Sequence, residues 1–183
     1  LIKYASNAFL ATKITFINEL ANLCEKTGIN VEDISLGMGT DNRIGSRFLQ
    51  AGIGFGGGCL PKDIRAFMAR AEELGAKQAV EFLKEIDAIN LRARQRIIEL
   101  VRKDLSDNLQ GKKVAILGAA FKPDSDDVRD SPALDIAVQI QAAGAIVTVH
   151  DPKAITNAQK RFPVLNFSTE INDTLKDAEI VLH

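Results

Sequence analysis

The stretch Val114-Ala115-Ile116-Leu117-Gly118 decides the fold, because it is an uninterrupted apolar run that ends at a glycine. Such a run is typical of a strand that is buried on both faces of a parallel sheet. Ser131-Pro132 then marks the start of a helix, Gly144 marks its end, and residues 145–149 form a second apolar strand. This order of strand, helix and strand predicts an α/β unit with parallel pairing.

The same unit continues to the end of the sequence. We expect a short helix over about 155–161, another near Thr174 and a strand over 179–183. Upstream of the first strand, apolar residues recur at helical spacing as far as Gly28, and further helices are predicted around 31–37 and 61–74. The first part of the chain is therefore predicted to be all helical.

One predicted helix is unusually long. Residues 76–107 contain neither glycine nor proline, and their apolar residues recur at three- and four-residue steps. A single helix over 76–107 would reach roughly 45 Å. This is more than one small domain needs, so we interpret it as a connector or an oligomer-forming helix.

These patterns predict a multi-domain chain. An all-α domain with the long connecting helix covers 1–107, and a partial α/β parallel-sheet domain covers 108–183. The chain starts at Leu1 without methionine and stops inside a predicted strand, so we expect a piece of a longer protein.

Composition excludes several classes of function. Apolar residues make up 46% of the chain and charged residues 26%, which is the balance of a folded globular protein rather than a disordered one. The net charge of −1 argues against electrostatic binding to nucleic acid or to an anionic membrane. Two cysteines without CxxC spacing predict neither a disulfide framework nor a metal site. No secretory signal is visible, so we expect a cytoplasmic protein.

The densest chemical signal is the glycine-rich stretch 52–63. Glycines let the backbone approach a ligand closely, at an entropic cost. Cys59 precedes Leu60-Pro61, which places its sulfur near a predicted helix N-terminus where thiolate is stabilised. Asp63 lies one turn further along, in range to act as a base or to orient water. The alternative is a flexible loop capped by an inert, buried cysteine.

Two further groups carry weaker signals. Lys3 and Asn7 share a helix face and could hold an oxyanion, although exposed helices often carry such pairs. The loop after the first strand has Gly118 but no GxGxxG fingerprint for a dinucleotide. Lys122 and Arg129 in that loop could instead contact phosphate, or the loop could be plain surface.

Taken together, the motifs resemble one known family. The matching stretches are residues 1–9, 16–19, 54–63, Phe121-Lys122-Pro123-Asp124 and Arg129-Asp130-Ser131-Pro132. In this order and spacing they resemble the UDP-glucose/GDP-mannose dehydrogenase family. The resemblance implies a central helical dimerisation domain followed by a truncated, Rossmann-like UDP-binding domain. The family's N-terminal NAD-binding domain is expected to be absent from this chain, so the chain alone is expected to be inactive.

The resemblance also implies a reaction: oxidation of the sugar C6 alcohol of UDP-glucose to the carboxylate of UDP-glucuronate, with NAD as cofactor. Cys59 would form a thiohemiacetal and then a thioester, Lys3 and Asn7 would stabilise the oxyanion or hold a water, and Asp63 would assist deprotonation and hydrolysis. The implied substrate-binding residues are Phe55, Gly56, Gly57, Arg43, Phe121 and Lys122. Arg43 would reach the sugar in a neighbouring subunit of a homodimer, and Arg129 is a candidate cofactor contact.

Some alternatives stay open. GDP-mannose or a UDP-N-acetylhexosamine could replace UDP-glucose, and the fragment could instead be a non-catalytic nucleotide-sugar-binding or dimerisation module. Gly58 departs from the family pattern, in which many members have serine before the cysteine.

Overall fold

The computed structural model describes all 183 residues, which form two compact units. The helical unit comprises residues 1–55 and 59–93, and the sheet unit comprises residues 56–58 and 94–183. A helical part and an α/β part with a parallel sheet confirm the predicted fold class. None of the helices combines the length and the apolar character needed to cross a membrane.

The helices of the first part lie close to their predicted positions. They are α1 (Ile2–Thr27), α2 (Val31–Gly39), α3 (Leu60–Glu73) and α4 (Phe82–Asp104), with a 3₁₀ helix at Lys77–Val80. Helix α1 ends as predicted at Gly28, which has φ = 73° and donates its N–H to the carbonyl oxygen of Cys24. Helix α2 begins at Asn30, whose side chain accepts a hydrogen bond from the Glu32 N–H.

The core of the helical unit brings together three α-helices, the 3₁₀ helix and one loop. Its buried residues come from α1, α3, α4, the 3₁₀ helix and the segment just before the glycine cluster. They are Ala8, Ala11, Phe55, Ile64, Ala71, Val80, Leu83 and Ile86. Small alanines on α1 allow α3 to pack closely against it, which fixes the helix that carries Asp63.

The single helix predicted over 76–107 is wrong at both ends. The chain forms a 3₁₀ helix at Lys77–Val80, and α4 begins only at Phe82 and ends at Asp104. Val80 is buried in the core, so the tight turn places an apolar side chain that a straight helix would direct elsewhere. At the other end Ser106 and Asp107 have φ of 52° and 59°, which stops the helix without a glycine.

The sheet unit has four parallel strands in the order β3-β2-β1-β4. They are β1 (Lys113–Leu117), β2 (Ile146–His150), β3 (Asn166–Ser168) and β4 (Ile180–Leu182). The helices between them are α5 (Pro132–Ala142), α6 (Ile155–Arg161) and α7 (Ile171–Leu175). The central strand β1 buries three consecutive residues, as its continuous apolar run predicts.

The predicted helix start at Ser131-Pro132 is confirmed. The Ser131 side chain caps α5 by accepting a hydrogen bond from the Leu134 N–H, and Pro132 occupies the first helical position. Strand β3 was not predicted, because it has three residues at the edge of the sheet and two of them are polar. So short and polar a segment carries no period-2 signal.

Candidate active site

Cys59 occupies the position just before α3. It is the N-cap residue of that helix, Pro61 lies in the first turn, and the Asp63 N–H donates to the Cys59 carbonyl oxygen at 2.8 Å. The residue is exposed, in contrast to Cys24, which is buried. The structure therefore places the Cys59 thiol at a helix N-terminus and within reach of a ligand, rather than sealed in the core.

The carboxylate of Asp63 gathers the other predicted catalytic residues. Its side chain is fully buried, and its Oδ2 accepts hydrogen bonds from Asn7 Nδ2 at 2.7 Å and from Lys3 Nζ at 3.1 Å. Lys62 Nζ lies 3.6 Å from Oδ1. Lys3 and Asn7 thus share one face of α1, as their spacing predicts, and that face meets the first turn of α3.

The charged side chains of this cluster shift one another's pKa values. Burial by itself raises the pKa of Asp63, but hydrogen bonds from Lys3 and Asn7 and the charges of Lys3 and Lys62 outweigh it, so this pKa lies below its ordinary value. The hydrogen bond and charge of Asp63 raise the pKa of Lys3. At neutral pH the cluster therefore contains an ammonium on Lys3 and a carboxylate on Asp63.

Phe55 lies in the core of the helical unit and is not exposed. Its side chain is only 6% exposed, and its backbone N–H and carbonyl both bind the side chain of Asn90, at 2.7 and 3.0 Å. Sequence reasoning missed Asn90. The signal was present, because Asn90 lies seven residues after Leu83 and four after Ile86, on the buried face of α4.

Arg43 lies apart from this cluster, in the turn that follows α2. Its guanidinium forms a two-pronged ion pair with Asp41, at 2.6 to 3.2 Å, and its side chain is 90% exposed. Lys13 of α1 steadies the same turn by donating to the carbonyl oxygens of Ile44 and Gly45. The Arg43 side chain projects into solvent, where a second molecule can meet it.

In the sheet unit, the glycines at 56–58 pack tightly against the loop that follows β1. A Cβ on Gly57 would lie 2.6 Å from the Phe121 ring, and Gly57 has φ = 87°, so only glycine fits there without strain. A Cβ on Gly58 would lie 2.6 Å from the Arg129 guanidinium. Gly57 also donates its N–H to the carbonyl oxygen of Arg129 at 2.8 Å.

Gly56 meets an even closer neighbour. A Cβ there would lie 2.1 Å from the carbonyl oxygen of Asp130 and 2.8 Å from Pro132. Gly56 and Gly57 therefore have a packing reason to be glycine, whereas the neighbour of Gly58 is the flexible end of the Arg129 side chain. Within the sheet unit the structure brings Gly56 and Gly57 together with Phe121 and Arg129.

Lys122 lines a cleft of about 500 Å³ at the carboxyl ends of β1 and β2. The lining residues are Gly118, 120–125 and 151–153. Crevices at this edge of a parallel sheet are the usual ligand sites of α/β folds. Arg129 instead lines a separate open cleft of about 410 Å³, together with Asp126, Asn157, Lys160 and their neighbours. The structure thus separates the two cations that the sequence offered as phosphate contacts.

The backbone N–H groups of the loop after β1 bind a carboxylate of the protein itself, so they are not available to the pyrophosphate of a dinucleotide. Asp151 accepts hydrogen bonds from the N–H groups of Ala119 and Ala120 at 2.8 and 3.2 Å, and from Lys153 and Ala154 at 2.8 and 2.7 Å. Burial raises the pKa of Asp151, but these four hydrogen bonds lower it below its ordinary value. The amides that would cradle a phosphate are already occupied.

Comparison with known proteins agrees with both units. Residues 1–92 match the central domain of the UDP-glucose/GDP-mannose dehydrogenase family, and residues 115–183 match the family's UDP binding domain. The chain is 43% identical to the UDP-glucose 6-dehydrogenase of Rhizobium meliloti (strain 1021) over 182 residues, which is 100% of this chain and 41% of that protein.

Solved structures give the same result. A UDP-glucose dehydrogenase from the archaeon Pyrobaculum islandicum superposes with a TM-score of 0.92 at 37% identity, over 99% of this chain and 41% of that one. An NDP-N-acetyl-D-galactosaminuronic acid dehydrogenase from Methanosarcina mazei Go1 gives 0.82 at 31% identity, over 99% and 40%. The chain spans about two fifths of the length of these relatives. By these matches the chain belongs to the UDP-glucose/GDP-mannose dehydrogenase family.

Proposed function

We propose that this chain supplies the thiol and much of the substrate site of a dehydrogenase that oxidises C6 of UDP-glucose to the carboxylate of UDP-glucuronate. The observation that carries the proposal is the exposed Cys59 at the N-terminus of α3, beside the Lys3, Asn7 and Asp63 cluster.

A covalent intermediate on the Cys59 sulfur divides the oxidation into steps with lower barriers. After the first oxidation, the Cys59 thiolate adds to the C6 aldehyde, forming a C–S bond and a thiohemiacetal oxygen. Loss of hydride and a proton from this adduct gives the thioester. Water then attacks the thioester carbon, the C–S bond breaks, and the carboxylate leaves while the thiol is restored.

Lys3 and Asn7 act on the oxygen atoms in this sequence. The Lys3 ammonium, whose pKa is raised by Asp63, stays protonated at neutral pH and stabilises the oxyanions that form at C6. Asp63 has a lowered pKa and is therefore a weak proton acceptor. Its main role is to orient Lys3 and Asn7, and through them it assists the hydrolysis step.

NAD, when bound, supplies the hydride acceptor for both oxidations. The residues of this chain do not fit its pyrophosphate at β1, since Asp151 occupies the amides of Ala119 and Ala120. We therefore propose that NAD binds mainly through residues outside this chain. Arg129, on its own cleft, is the one candidate contact that this chain offers.

Substrate contacts are proposed within each unit by itself. In the sheet unit, Lys122 and Phe121 at the carboxyl ends of the strands are proposed to meet the UDP phosphates, which is in keeping with the family's UDP binding domain. Gly56 and Gly57 are proposed to present backbone to the sugar. Phe55 would contribute through its position in the chain, because its ring is buried. Arg43 is proposed to reach the sugar bound by a second subunit.

The proposal is tested by Cys59→Ala in an intact dehydrogenase that carries this chain. We expect loss of UDP-glucuronate formation, measured by product chromatography, because no thioester can form. Cys24→Ala, at the buried cysteine, is the matched control and should retain turnover. Normal production of UDP-glucuronate by Cys59→Ala would show that the covalent role is wrong.

We also propose that the chain forms a homodimer through its helical unit. Helix α1 exposes four large apolar side chains at seven-residue intervals, namely Ile2, Phe9, Phe16 and Leu23, each more than half exposed. A row of this kind is typical of an interface that a second chain covers.

A further inference from the structure

The segment that leads to Cys59 is held by side chains instead of secondary structure. Ser35 Oγ donates to the Leu49 carbonyl oxygen at 2.5 Å, and Asn18 Oδ1 accepts from the Gly52 N–H at 2.8 Å. Asn90 provides the last side-chain anchor before the cysteine, and the Gly57 N–H then binds the Arg129 carbonyl oxygen within the sheet unit. Each anchor is a single residue, so each can be removed separately.

Asn90 binds Phe55 as a neighbouring strand would. Its Oδ1 accepts from the Phe55 N–H at 2.7 Å, and its Nδ2 donates to the Phe55 carbonyl oxygen at 3.0 Å. Asn90 is 2% exposed, and both of its hydrogen bonds to the Phe55 backbone are buried. Buried backbone groups without partners are costly, which makes the pairing stringent.

The loop at Gly54 and helix α4 at Asn90 lie so close together that position 54 requires a glycine. A Cβ on Gly54 would lie 2.6 Å from Asn90 Oδ1 and 3.0 Å from the Asn90 carbonyl oxygen, and Gly54 has φ = 97°. The glycine before Phe55 therefore has a specific function: it lets the loop backbone lie directly against the Asn90 side chain.

The Phe55 ring links this anchor to the catalytic helices. It packs in the same core cluster as Ala8 and Ala11 of α1 and Ile64 of α3. Ala8 follows Asn7, and Ile64 follows Asp63. Phe55 is thus fixed against the two helices that hold the Lys3, Asn7 and Asp63 cluster, four residues before Cys59.

We infer that Asn90 is a positioning residue for the Cys59 thiol, which it acts on through the backbone of Phe55. On the C-terminal side, α3 fixes Cys59 through the hydrogen bond from the Asp63 N–H. On the N-terminal side, the helical unit fixes the chain at Phe55 through Asn90. The inference rests on the proposed role of Cys59 as nucleophile.

The test compares Asn90→Ala with Leu83→Ala in the intact dehydrogenase. Leu83 is a fully buried residue of α4 in the same core cluster as Phe55, and its truncation creates a cavity but removes no side-chain hydrogen bond to the loop. Two readouts are taken well below the unfolding temperature: hydrogen exchange of the amides over 55–59, and the split between kcat and KM for UDP-glucose.

We expect Asn90→Ala to speed exchange over 55–59 and to lower kcat on the order of 100-fold, as a misplaced reactive group does, with KM little changed. Leu83→Ala should leave both readouts near those of the unsubstituted protein. If the two variants lose kcat equally, or if exchange over 55–59 is unchanged in Asn90→Ala, Asn90 does not position the thiol.

If Asn90→Ala does not fold, the variant Asn90→Asp tests the same inference. Asn90→Asp keeps the shape, and its protonated carboxyl can still donate to the Phe55 carbonyl oxygen, whereas the ionised form cannot. We expect its kcat, relative to the unsubstituted enzyme, to fall as the pH rises, and a flat ratio would refute the inference. Cys59→Ala separates the two hypotheses, because normal turnover there removes the proposed function while the exchange result still reports on Asn90.

Discussion

Asp63 shows how one buried carboxylate can organise a site. It has three nitrogen neighbours, on Lys3, Asn7 and Lys62, and they come from two helices. Because its pKa is lowered in the folded protein, the charged form stabilises the fold above the unfolded-state pKa of about 3.9, and this contribution is lost as the pH falls through the folded value.

Asp63→Asn should therefore weaken the fold at neutral pH and matter less in acid. We expect the difference in urea midpoint between Asp63→Asn and the unsubstituted protein to be largest near pH 7 and to shrink toward pH 3, since the unfolded chain takes up a proton at Asp63 there while the pKa of the folded carboxylate lies lower. The measurement is urea unfolding followed by circular dichroism at several pH values.

Other carboxyls with lowered pKa values titrate in both proteins and cancel in this comparison. They are Asp41, Glu72, Asp127, Asp151 and Glu179. Asp33→Asn, at an exposed position in α2, is the control for replacing a surface carboxylate. A difference that stays constant from pH 7 to pH 3 would mean that Asp63 is not held charged by its partners.

At this scale the sequence predicted contacts on helices better than it predicted burial in loops. Lys3 and Asn7 could be paired from a four-residue spacing, and Cys59 could be placed at a helix start from the proline that follows it. The burial of Phe55 could not be predicted, because its ring packs on Ala8 and its backbone binds Asn90, and both residues lie far from it in the sequence. No local pattern encodes a contact of that range.

Among the elements, helix ends with a local chemical cause were predicted well. Gly28 and Ser131 each act through hydrogen bonds to residues within five positions, so their signals are visible in a short window. The 3₁₀ helix at Lys77–Val80 was not predicted, because it follows from the packing of Val80 into the core. No glycine or proline within these four residues marks the break in the sequence. Tertiary packing overrides helix propensity there.

Asp151 joins two loops of the sheet unit, and its replacement should destabilise that unit. It follows β2, yet it binds the amides of Ala119 and Ala120 after β1 as well as those of its own loop. Asp151→Asn keeps the shape but turns one acceptor into a donor that faces N–H groups. We expect a loss of about 2 kcal/mol in the free energy of unfolding, the scale of hydrogen bonds to a charged group.

Denaturant unfolding of this variant is compared with that of Asp124→Asn. Asp124 lies in the same loop region, is exposed, and has a left-handed backbone with φ = 54° that asparagine tolerates. The control should therefore unfold close to the unsubstituted protein. Equal unfolding midpoints for Asp151→Asn and the control would show that the four hydrogen bonds do not stabilise the sheet unit.

For the molecule as a whole, the choice of dimer helix follows from geometry. Residues seven apart on a helix drift by only about 20°, so Ile2, Phe9, Phe16 and Leu23 form one row along α1. On α4 the exposed apolar residues are Phe82, Leu91 and Leu100. Nine residues make about two and a half turns, so these side chains point to alternate sides. The row on α1 favours that helix over the predicted long helix as the centre of a dimer interface.

Phe9→Glu combined with Phe16→Glu should separate the dimer. The two side chains are 66% and 51% exposed in the single chain, so the substitutions leave its core intact while they place two charges in a surface that a partner would dehydrate. Sedimentation equilibrium at tens of micromolar is expected to show dimers for the unsubstituted protein and monomers for the double variant. Leu36→Glu, at a 71% exposed residue of α2 outside the row, should stay dimeric. A monomeric unsubstituted protein, or a double variant that remains dimeric, would exclude α1 as the interface.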